Sequence, residues 1–376
     1  MKTTVKLTYM IDALDTDLAG TENQLIKMIN GLGGKGFEIR LVCFKDHPWL
    51  RKNAPSLACK TEVIELNQFK KPHTYGNCVR LVRFLRSSSP DIVHTFFPMA
   101  NILGVIAARM AGTKVILSSR RDYGEWMNGR YMMMTRFANR FTTKILANSY
   151  KVKELTMEKE GVDSSRIEVF LNGIDTSRFE NVRPERALKK SLGIADGNRV
   201  VGIVANFRPM KHHTTFLMAA REMLRQRDDV TFLLIGTGPL KEEMERLSRT
   251  LGIAESVRFT NSQKDVIPYL SIMDVGVNCS EGEGLSNAIM EYMSAGVPCV
   301  VSEAGGNTDL ITNGYNGYTF KIDDHKTLAS LILELFDDDA KRELFARNAL
   351  DTIKNKMSLE VILSKYENFY KSLVNA

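Results

Sequence analysis

Short apolar, β-branched runs alternate with longer helical patterns along the whole chain, and no other feature restricts its fold so tightly. The first half reads VKLTYM, a helix around Gln24 to Gly34, EIRLVCF, DIVHTF, a helix from Asn101 to Ala111, KVILSS, TKILAN and a helix from Ser149. Strand and helix in succession predict a parallel sheet covered on both faces, because parallel neighbours need a crossover and a helix supplies it. The rhythm restarts with RVVGIVAN, a helix from Thr214 to Gln226, VTFLLIG, a helix from Pro239 to Leu251, SVRFT, DVGVNCS, a helix near Ser286 to Ala295, and PCVVS. The expected fold is therefore α/β, with two Rossmann-like, doubly wound parallel-sheet domains at 1–175 and 199–357. Between them TSRFENVRPERALKKSLGIADGN is polar and carries Pro184, which predicts a linker at 176–198. Two helical patterns, Asp338 to Asn355 and Ser358 to Leu373, follow the strand GYTF, and the segment 358–376 is expected to cross back to the N-terminal domain. Ligands of doubly wound sheets bind at the C-terminal ends of the strands, so two such domains facing each other are expected to form one cleft.

At 376 residues, 44% of them hydrophobic, the chain can bury two or three cores. Its five cysteines are scattered and form no C-x-x-C, so neither a zinc site nor a disulfide framework is expected, and a reducing, cytoplasmic location fits. MKTTVKLTYMIDA lacks the apolar core of a signal peptide, and the most apolar helical run, NILGVIAARMAG, is short and contains Arg109. No membrane span is expected.

Charge is distributed unevenly: residues 1–180 hold 27 Lys and Arg against 18 Asp and Glu, whereas 181–376 hold 24 against 26. Residues 51–150 alone carry 16 basic and 5 acidic residues, a net charge of +11. Such an excess attracts a phosphorylated lipid, an acidic membrane surface or a nucleic acid, or is simply a solvated basic face. No RNA- or DNA-binding motif accompanies it, so nucleic acid is not the expected partner.

The densest chemistry is Ser280 to Glu291, SEGEGLSNAIME, which follows a strand and runs into a helix. Glu283 in the glycine-flanked loop and Glu291 inside the helix can face one ligand at different depths. The glycines admit close backbone approach, and the N–H groups that open the helix suit a phosphate. Carboxylates beside a phosphate site accept hydrogen bonds from sugar hydroxyls, although an ordinary surface helix carries such glutamates too. A cationic counterpart appears as Asn206-Phe207-Arg208-Pro209-Met210-Lys211 past the strand VVGIVAN, where Arg208 and Lys211 can neutralise a leaving diphosphate; a plain basic loop is the alternative. Ala19-Gly20-Thr21-Glu22 opens a helix after the first strand. Gly236-Thr237-Gly238-Pro239 supplies half of a dinucleotide fingerprint and lacks its third glycine. His94 ends the strand DIVHTF, as a ligand-side residue or a satisfied structural histidine. Trp126 to Phe137 mixes Met, aromatics and arginines, which suits an interfacial helix or core packing. Asp323-Asp324 and Asp337 to Asp339 sit at helix boundaries, where carboxylates cap, so no metal is expected.

Together these segments resemble the retaining glycosyltransferases of the GT-B fold, glycosyltransferase family 4 (group 1). EGLSNAIMEYMSAGVPCVVSEAGGNTDLI is similar to that family's Glu, seven residues, Glu signature and its Gly-Gly loop, here Gly305-Gly306. LIGTGP, KILANS, VFLNGIDTSRF and a final helix with Tyr366 and Tyr370 support it. The resemblance implies transfer of a sugar, with retention, from a nucleotide-diphosphate sugar, UDP-sugar first, and no required cofactor. The second domain would hold the donor and the first the acceptor. It implies catalytic roles for Glu283, Lys211 and Arg208, with Glu283 on the sugar hydroxyls and Lys211 on the diphosphate. Donor binding falls to Gly20, Asn206, Gly236, Gly238, Gly284, Leu285, Ser286, Asn287 and Glu291, with Glu291 on the ribose and Gly20 approaching the phosphate from the opposite domain. His94, Arg120 and Arg121 are expected on the acceptor side.

Three departures stand out. The family arginine five residues before the lysine is Asn206 here, with Arg208 three before it. The first Gly-Gly is Ala19-Gly20, and Arg120 stands where many members carry a histidine near the donor sugar. With the basic first half, the expected acceptor is a lipid-linked or cell-surface polysaccharide intermediate, met peripherally at the inner face of the plasma membrane. A sugar-nucleotide epimerase of related fold and a non-catalytic nucleotide-sugar-binding subunit are the alternatives.

Overall fold

Two parallel sheets organise the computed structural model, which describes residues 4–17, 19–66, 72–124, 128–180 and 182–375. Trp126 and Met127, the start of the segment expected as an interfacial or core helix, lie outside the described residues. Unit 1 comprises Met1–Gly173 and Leu359–Ala376, and unit 2 comprises Ile174–Ser358.

The strands of unit 1 are β1 (Val5–Ile11), β2 (Phe37–Cys43), β3 (Lys60–Val63), β4 (Ile92–Phe96), β5 (Val115–Arg120), β6 (Lys144–Ala147) and β7 (Ile167–Val169), in the order β3-β2-β1-β4-β5-β6-β7. Its helices are α1 (Gly20–Leu32), α2 (Pro48–Asn53), α3 (Pro72–Ser88), α4 (Val105–Ala111), α5 (Gly129–Asn139) and α6 (Tyr150–Glu160). In unit 2 the helix α7 (Arg186–Ser191) precedes β8 (Arg199–Val204), α8 (His213–Leu224), β9 (Val230–Ile235), α9 (Lys241–Thr250) and β10 (Val257–Thr260). There follow α10 (Ile267–Leu270), β11 (Val275–Asn278), α11 (Asn287–Ser294), β12 (Cys299–Ser302), α12 (Asn307–Leu310) and β13 (Tyr318–Phe320). The unit closes with α13 (His325–Asp337) and α14 (Asp339–Lys356), and α15 (Leu359–Asn375) then belongs to unit 1. The order β10-β9-β8-β11-β12-β13, parallel throughout, reverses between β8 and β11, the place where doubly wound sheets hold ligands.

Central strands are buried on both faces, which explains their nearly continuous apolar runs: every residue of β4, β9 and β12 is buried. On one face of the first sheet α1 packs through Leu25, Met28, Ile29 and Leu32 with α15, whose Ile362, Leu363, Tyr366 and Tyr370 recur at helical spacing. Gly31 lets these helices touch, since a Cβ there would lie 2.3 Å from Leu363 Cδ1. The other face is covered by α3, α4 and α5, whose Leu81, Leu85, Val105, Ala108 and Ala138 meet Met10, Val93 and Ile116 of the sheet. In unit 2, α8 and α13 bury Phe216, Leu217, Met223, Leu328 and Ile332 against Val201, Phe232 and Val277.

The stretch 176–198 is not a linker. It forms a turn at Thr176–Phe179 and the helix α7, anchored by buried Phe179 and Ile194, and Arg258 donates to the carbonyls of Leu192 (2.8 Å) and Gly193 (3.0 Å). Its polar sequence is that of an outer layer. The chain passes between units at Gly173–Ile174 and again at Ser358–Leu359, and inside unit 2 the Ile174 amide donates to Met357 O at 2.9 Å. No described helix is long and apolar enough to cross a membrane.

Candidate active site

Three loops at the C-terminal ends of the adjacent strands β8, β11 and β12 meet in unit 2. After β8, Ala205 to Phe207 lie against the turn that follows β9. The Phe207 amide donates to Thr237 O at 2.9 Å, and a Cβ on Gly236 would stand 2.1 Å from Ala205 O. A Cβ on Gly238, at φ +152°, would stand 2.5 Å from Phe207 O. These two glycines therefore shape the loop that carries Arg208 and Lys211. Asn206 and Arg208 are exposed, and the Arg208 guanidinium makes no hydrogen bond or ion pair with the described residues.

Lys211 reaches Glu283 in the loop after β11, where the two form an ion pair with side chains only 17% and 15% exposed. Glu283 Oε1 also accepts from Ser280 Oγ at 2.5 Å and from Asn278 Nδ2 at 3.3 Å, and none of these donors is on Oε2. Burial alone would raise this carboxyl, but the Lys211 charge and the hydrogen bonds from Lys211, Ser280 and Asn278 outweigh it and hold Glu283 below the ordinary carboxylate range.

A buried polar layer underlies the loop. Asn278 Oδ1 accepts the Ser280 amide at 2.9 Å while its Nδ2 donates to Ser286 Oγ at 3.1 Å. Ser302 Oγ donates to Ser280 O at 2.6 Å, and Asn307 Nδ2 reaches Ser302 Oγ at 3.1 Å. Ser286 is the N-cap of α11 yet makes no side-chain capping bond, because its hydroxyl is turned to Asn278. The start of α11, with its favourable dipole, is thus left without a side-chain acceptor from its own cap. Glu291 lies in the second turn of α11, half-buried, and Leu285 is buried. The Gly305-Gly306 turn after β12 stitches on: the Gly306 amide donates to Glu283 O at 2.9 Å, and a Cβ on Gly306 would stand 2.1 Å from Gly284 O. Sequence reading assigns no role to Asn278, Ser280, Ser302 or Asn307, although the last three lie in the stretches it singles out. Their signal was weak, polar residues at the ends of apolar strands.

His212, at φ +47°, ties the Lys211 turn down. Its Nε2 meets Glu281 at 3.0 Å and its Nδ1 meets Asp323 at 2.9 Å, and the Glu281 amide donates to Met210 O at 2.9 Å. Burial lowers this imidazole's pKa, but the two carboxylates raise it further, so it sits above the ordinary histidine value. Asp324 and Asp338 cap α13 and α14 through the amides of Thr327 (3.0 Å) and Lys341 (2.8 Å). Among the described residues no three His, Cys, Asp or Glu side chains group to hold a metal ion.

Unit 1 corrects two acceptor-side expectations. His94 is fully buried, with Nδ1 2.7 Å from the Tyr370 hydroxyl and Nε2 2.8 Å from Ser119 Oγ. Burial, with the charge of Arg121, lowers its pKa to about 3, so it is a neutral strut between α15 and β5. Arg120 spends all five guanidinium N–H groups inside the unit, on Glu160 (2.7 and 2.9 Å), Asn139 (2.9 Å), Ser118 (2.6 Å) and Ser119 O (3.2 Å). Strand alternation turns it under α5 and α6, where each of its N–H groups is already taken by Glu160, Asn139, Ser118 or Ser119. Arg121, one residue on, is half-buried, donates to Asn172 and keeps an Nε–H without a partner among the described residues. Gly20 is the first residue of α1. Asp12, also missed, accepts the amides of Met99 (2.9 Å) and Ala100 (2.7 Å) beside Phe97, whose φ of +71° marks a strained turn after β4. Burial raises the Asp12 carboxyl to about 6 against those two bonds.

Two parallel sheets, one with a lysine–glutamate pair at its switch point, are the arrangement expected of a GT-B glycosyltransferase. The family described as "Glycosyl transferases group 1" matches residues 184–352 and "Glycosyltransferase Family 4" matches 18–178, and the chain belongs to this family. It is 25% identical over 370 residues, 95% of each chain, to the Escherichia coli UDP-Gal:alpha-D-GlcNAc-diphosphoundecaprenol alpha-1,3-galactosyltransferase. It is 28% identical over 316 residues, 82% of each chain, to the N-acetyl-alpha-D-glucosaminyl L-malate synthase of Bacillus anthracis. Among solved structures, Anabaena HepE in complex with UDP matches with a TM-score of 0.86 at 21% identity, over 98% of this chain and all of that one. A glycosyltransferase from Rickettsia africae matches with a TM-score of 0.87 at 18% identity, over 99% of both.

Proposed function

We propose that this enzyme transfers a sugar, with retention, from a UDP-sugar to a lipid-linked intermediate of polysaccharide assembly, at an anionic membrane surface on the cytoplasmic side. The observation that carries the reading is the Lys211–Glu283 pair over its polar layer, next to the start of α11. Glu283 Oε2, clear of the three donors on Oε1, takes the donor sugar's hydroxyls. Lys211 and the exposed Arg208 take the diphosphate, where leaving-group charge grows, together with the amides of Ser286 and Asn287. Glu291 takes the ribose. Stabilising that charge lets the acceptor hydroxyl attack the face the leaving group departs from, which retains configuration. The full-length E. coli relative, whose name contains both a UDP-sugar and a diphospholipid acceptor, supports this donor and acceptor class. Neither an epimerase nor a non-catalytic subunit has a comparable observation in its favour.

Calorimetry with UDP tests the donor site. Glu291→Ala is expected to weaken binding by about 1–3 kcal/mol, the scale of a hydrogen bond to a charged group, and unchanged affinity sinks the ribose assignment. Transfer to an undecaprenyl-diphosphate-linked sugar, with the anomeric coupling of the product read by NMR, tests acceptor and retention together.

A further inference from the structure

Of the 16 basic residues of 51–150, six lie in one helical layer without an acidic residue among them. The helices α3, α4 and α5, which together cover one face of the first sheet, contain Arg80, Arg83, Arg86, Arg109, Arg130 and Arg136 and not one aspartate or glutamate. On the opposite face α1 and α15 are balanced, with Glu22, Glu360 and Glu367 against Lys27, Lys365 and Lys371, while the short α2 adds Arg51 and Lys52.

The same layer displays large apolar groups that the fold leaves uncovered. Tyr75 and Val79 on α3, Met110 on α4, and Met133 and Phe137 on α5 are all exposed, Tyr75 by 75% and Met133 by 66%. They do not stand apart from the cations. On α3 the exposed stripe runs Tyr75, Val79, Arg83, Arg86, and on α5 it runs Arg130, Met133, Phe137 and ends on Arg140, the residue that caps the helix. Three- and four-residue spacing puts each set on one side of its helix, with the apolar groups between guanidinium groups on α5. Arg86 donates to Met110 O at 3.1 Å, which brings the ends of α3 and α4 together, and Arg136 is fixed to Lys159 O. A neighbouring strand offers one carboxylate, Glu62, which pairs with Arg80 at 2.5 Å; the other five helical arginines have no ion-pair partner among the described residues.

We propose that the outer face of α3, α4 and α5 docks on an anionic lipid bilayer, with its arginines on headgroup phosphates and Val79, Met110, Met133 and Phe137 in the acyl boundary. The inference deepens the reading above, since it rests on a lipid-linked acceptor being met at the membrane. Charge complementarity selects an anionic surface, and the interleaved aliphatic and thioether groups select lipid over nucleic acid, whose backbone offers them nothing to enter. Arginine in place of lysine suits bidentate contact with phosphodiesters.

The test uses the full chain, co-sedimented with vesicles of phosphatidylcholine alone or with one third phosphatidylglycerol, at low and high salt. Wild type is expected in the pellet with the anionic vesicles only, and less so at high salt. Replacing Arg83, Arg86 and Arg130 by Gln should weaken vesicle binding on the order of a hundredfold, from about fivefold per surface arginine. Met133→Ser with Phe137→Ser should weaken it about tenfold or more. Replacing exposed Arg249, Lys354 and Lys356 of unit 2 by Gln removes the same charge and should change nothing. Phe137→Trp should add a blue-shifted fluorescence component on anionic vesicles that the parent lacks. Wild type that stays in the supernatant at low salt overturns the proposal, and so does a unit 2 triple variant that loses as much as the face variant. Binding of single-stranded RNA that the face variant loses, with no vesicle binding, overturns it in favour of nucleic acid. The function is read separately: every face variant should retain UDP affinity, and failure of wild type to bind UDP strikes the donor assignment without touching the vesicle result.

Discussion

Glu283→Gln separates the charge of the Lys211 pair from its shape. Glutamine keeps an oxygen for Ser280 Oγ and Asn278 Nδ2, so the loop after β11 retains its anchors, while the Lys211 ammonium faces a neutral group. Removing one partner of a fully buried pair costs about 3–5 kcal/mol; with both side chains about one-sixth exposed and lysine able to turn to water, about 1–3 kcal/mol is expected at pH 7. The pH dependence is more diagnostic than the size. Burial works to raise the Glu283 carboxyl, but Lys211 and the hydrogen bonds prevail and hold it below its ordinary 4.5. Its stabilisation is therefore fully present above that value and is lost as pH falls through the lower folded-state value. Urea unfolding of wild type and variant at pH 7, 5 and 3.5 should give a gap that is full at the first two and narrower at the third. A gap of the same size at pH 3.5, or none at pH 7, refutes an ionised pair.

Lys211→Ala is expected to lower kcat more than donor affinity, because leaving-group charge grows in the transition state; a raised KM with normal kcat would make the lysine a binding group only. Arg120→Ala should cost about 3–5 kcal/mol of stability by stranding the Glu160 carboxylate, measured by denaturant melts. In the fraction that stays folded at low temperature the acceptor KM should be unchanged, and a raised KM would return Arg120 to the acceptor side. His212→Gln removes an imidazole whose pKa the Glu281 and Asp323 carboxylates lift above 6.5 against its burial. The stability it contributes is present below pH 6.5 and lost as pH rises through the lifted value, so the deficit of the variant should be larger at pH 6 than at pH 9.

Periodicity made both sheets legible wherever a strand is buried on two faces. Beyond that it failed for stated reasons: β3 reads KTEV and β7 reads IEV, edge strands too short and too polar to announce themselves. Nor does periodicity announce α3, or α13 between GYTF and the expected final pair. Site loops were legible because glycine and charge concentrate where strands end, and Lys211 meets Glu283 from 72 residues away. What sequence could not give was side-chain direction. Arg120 and Arg121 are neighbours of the same type, and only the alternation at the end of β5 turns one onto Glu160 and the other toward Asn172. For the same reason the sequence leaves His94 open between a ligand-side and a structural residue, its partner Tyr370 being 276 residues distant.

The double passage of the chain at Gly173–Ile174 and Ser358–Leu359 has a consequence for biosynthesis. Unit 2 is continuous in sequence, so a ribosome delivers all of it before Leu359 emerges. Unit 1, begun first, lacks the helix that carries Ile362, Leu363, Tyr366 and Tyr370 until after its neighbour is finished, and its His94 has no hydroxyl on Nδ1 until then. The first-born half waits with one face of its sheet only partly covered, by α1, leaving residues that meet α15, such as Phe37, to whatever chaperone is at hand. A nascent chain stalled just short of α15 would thus hold a completed unit 2 and an unfinished unit 1.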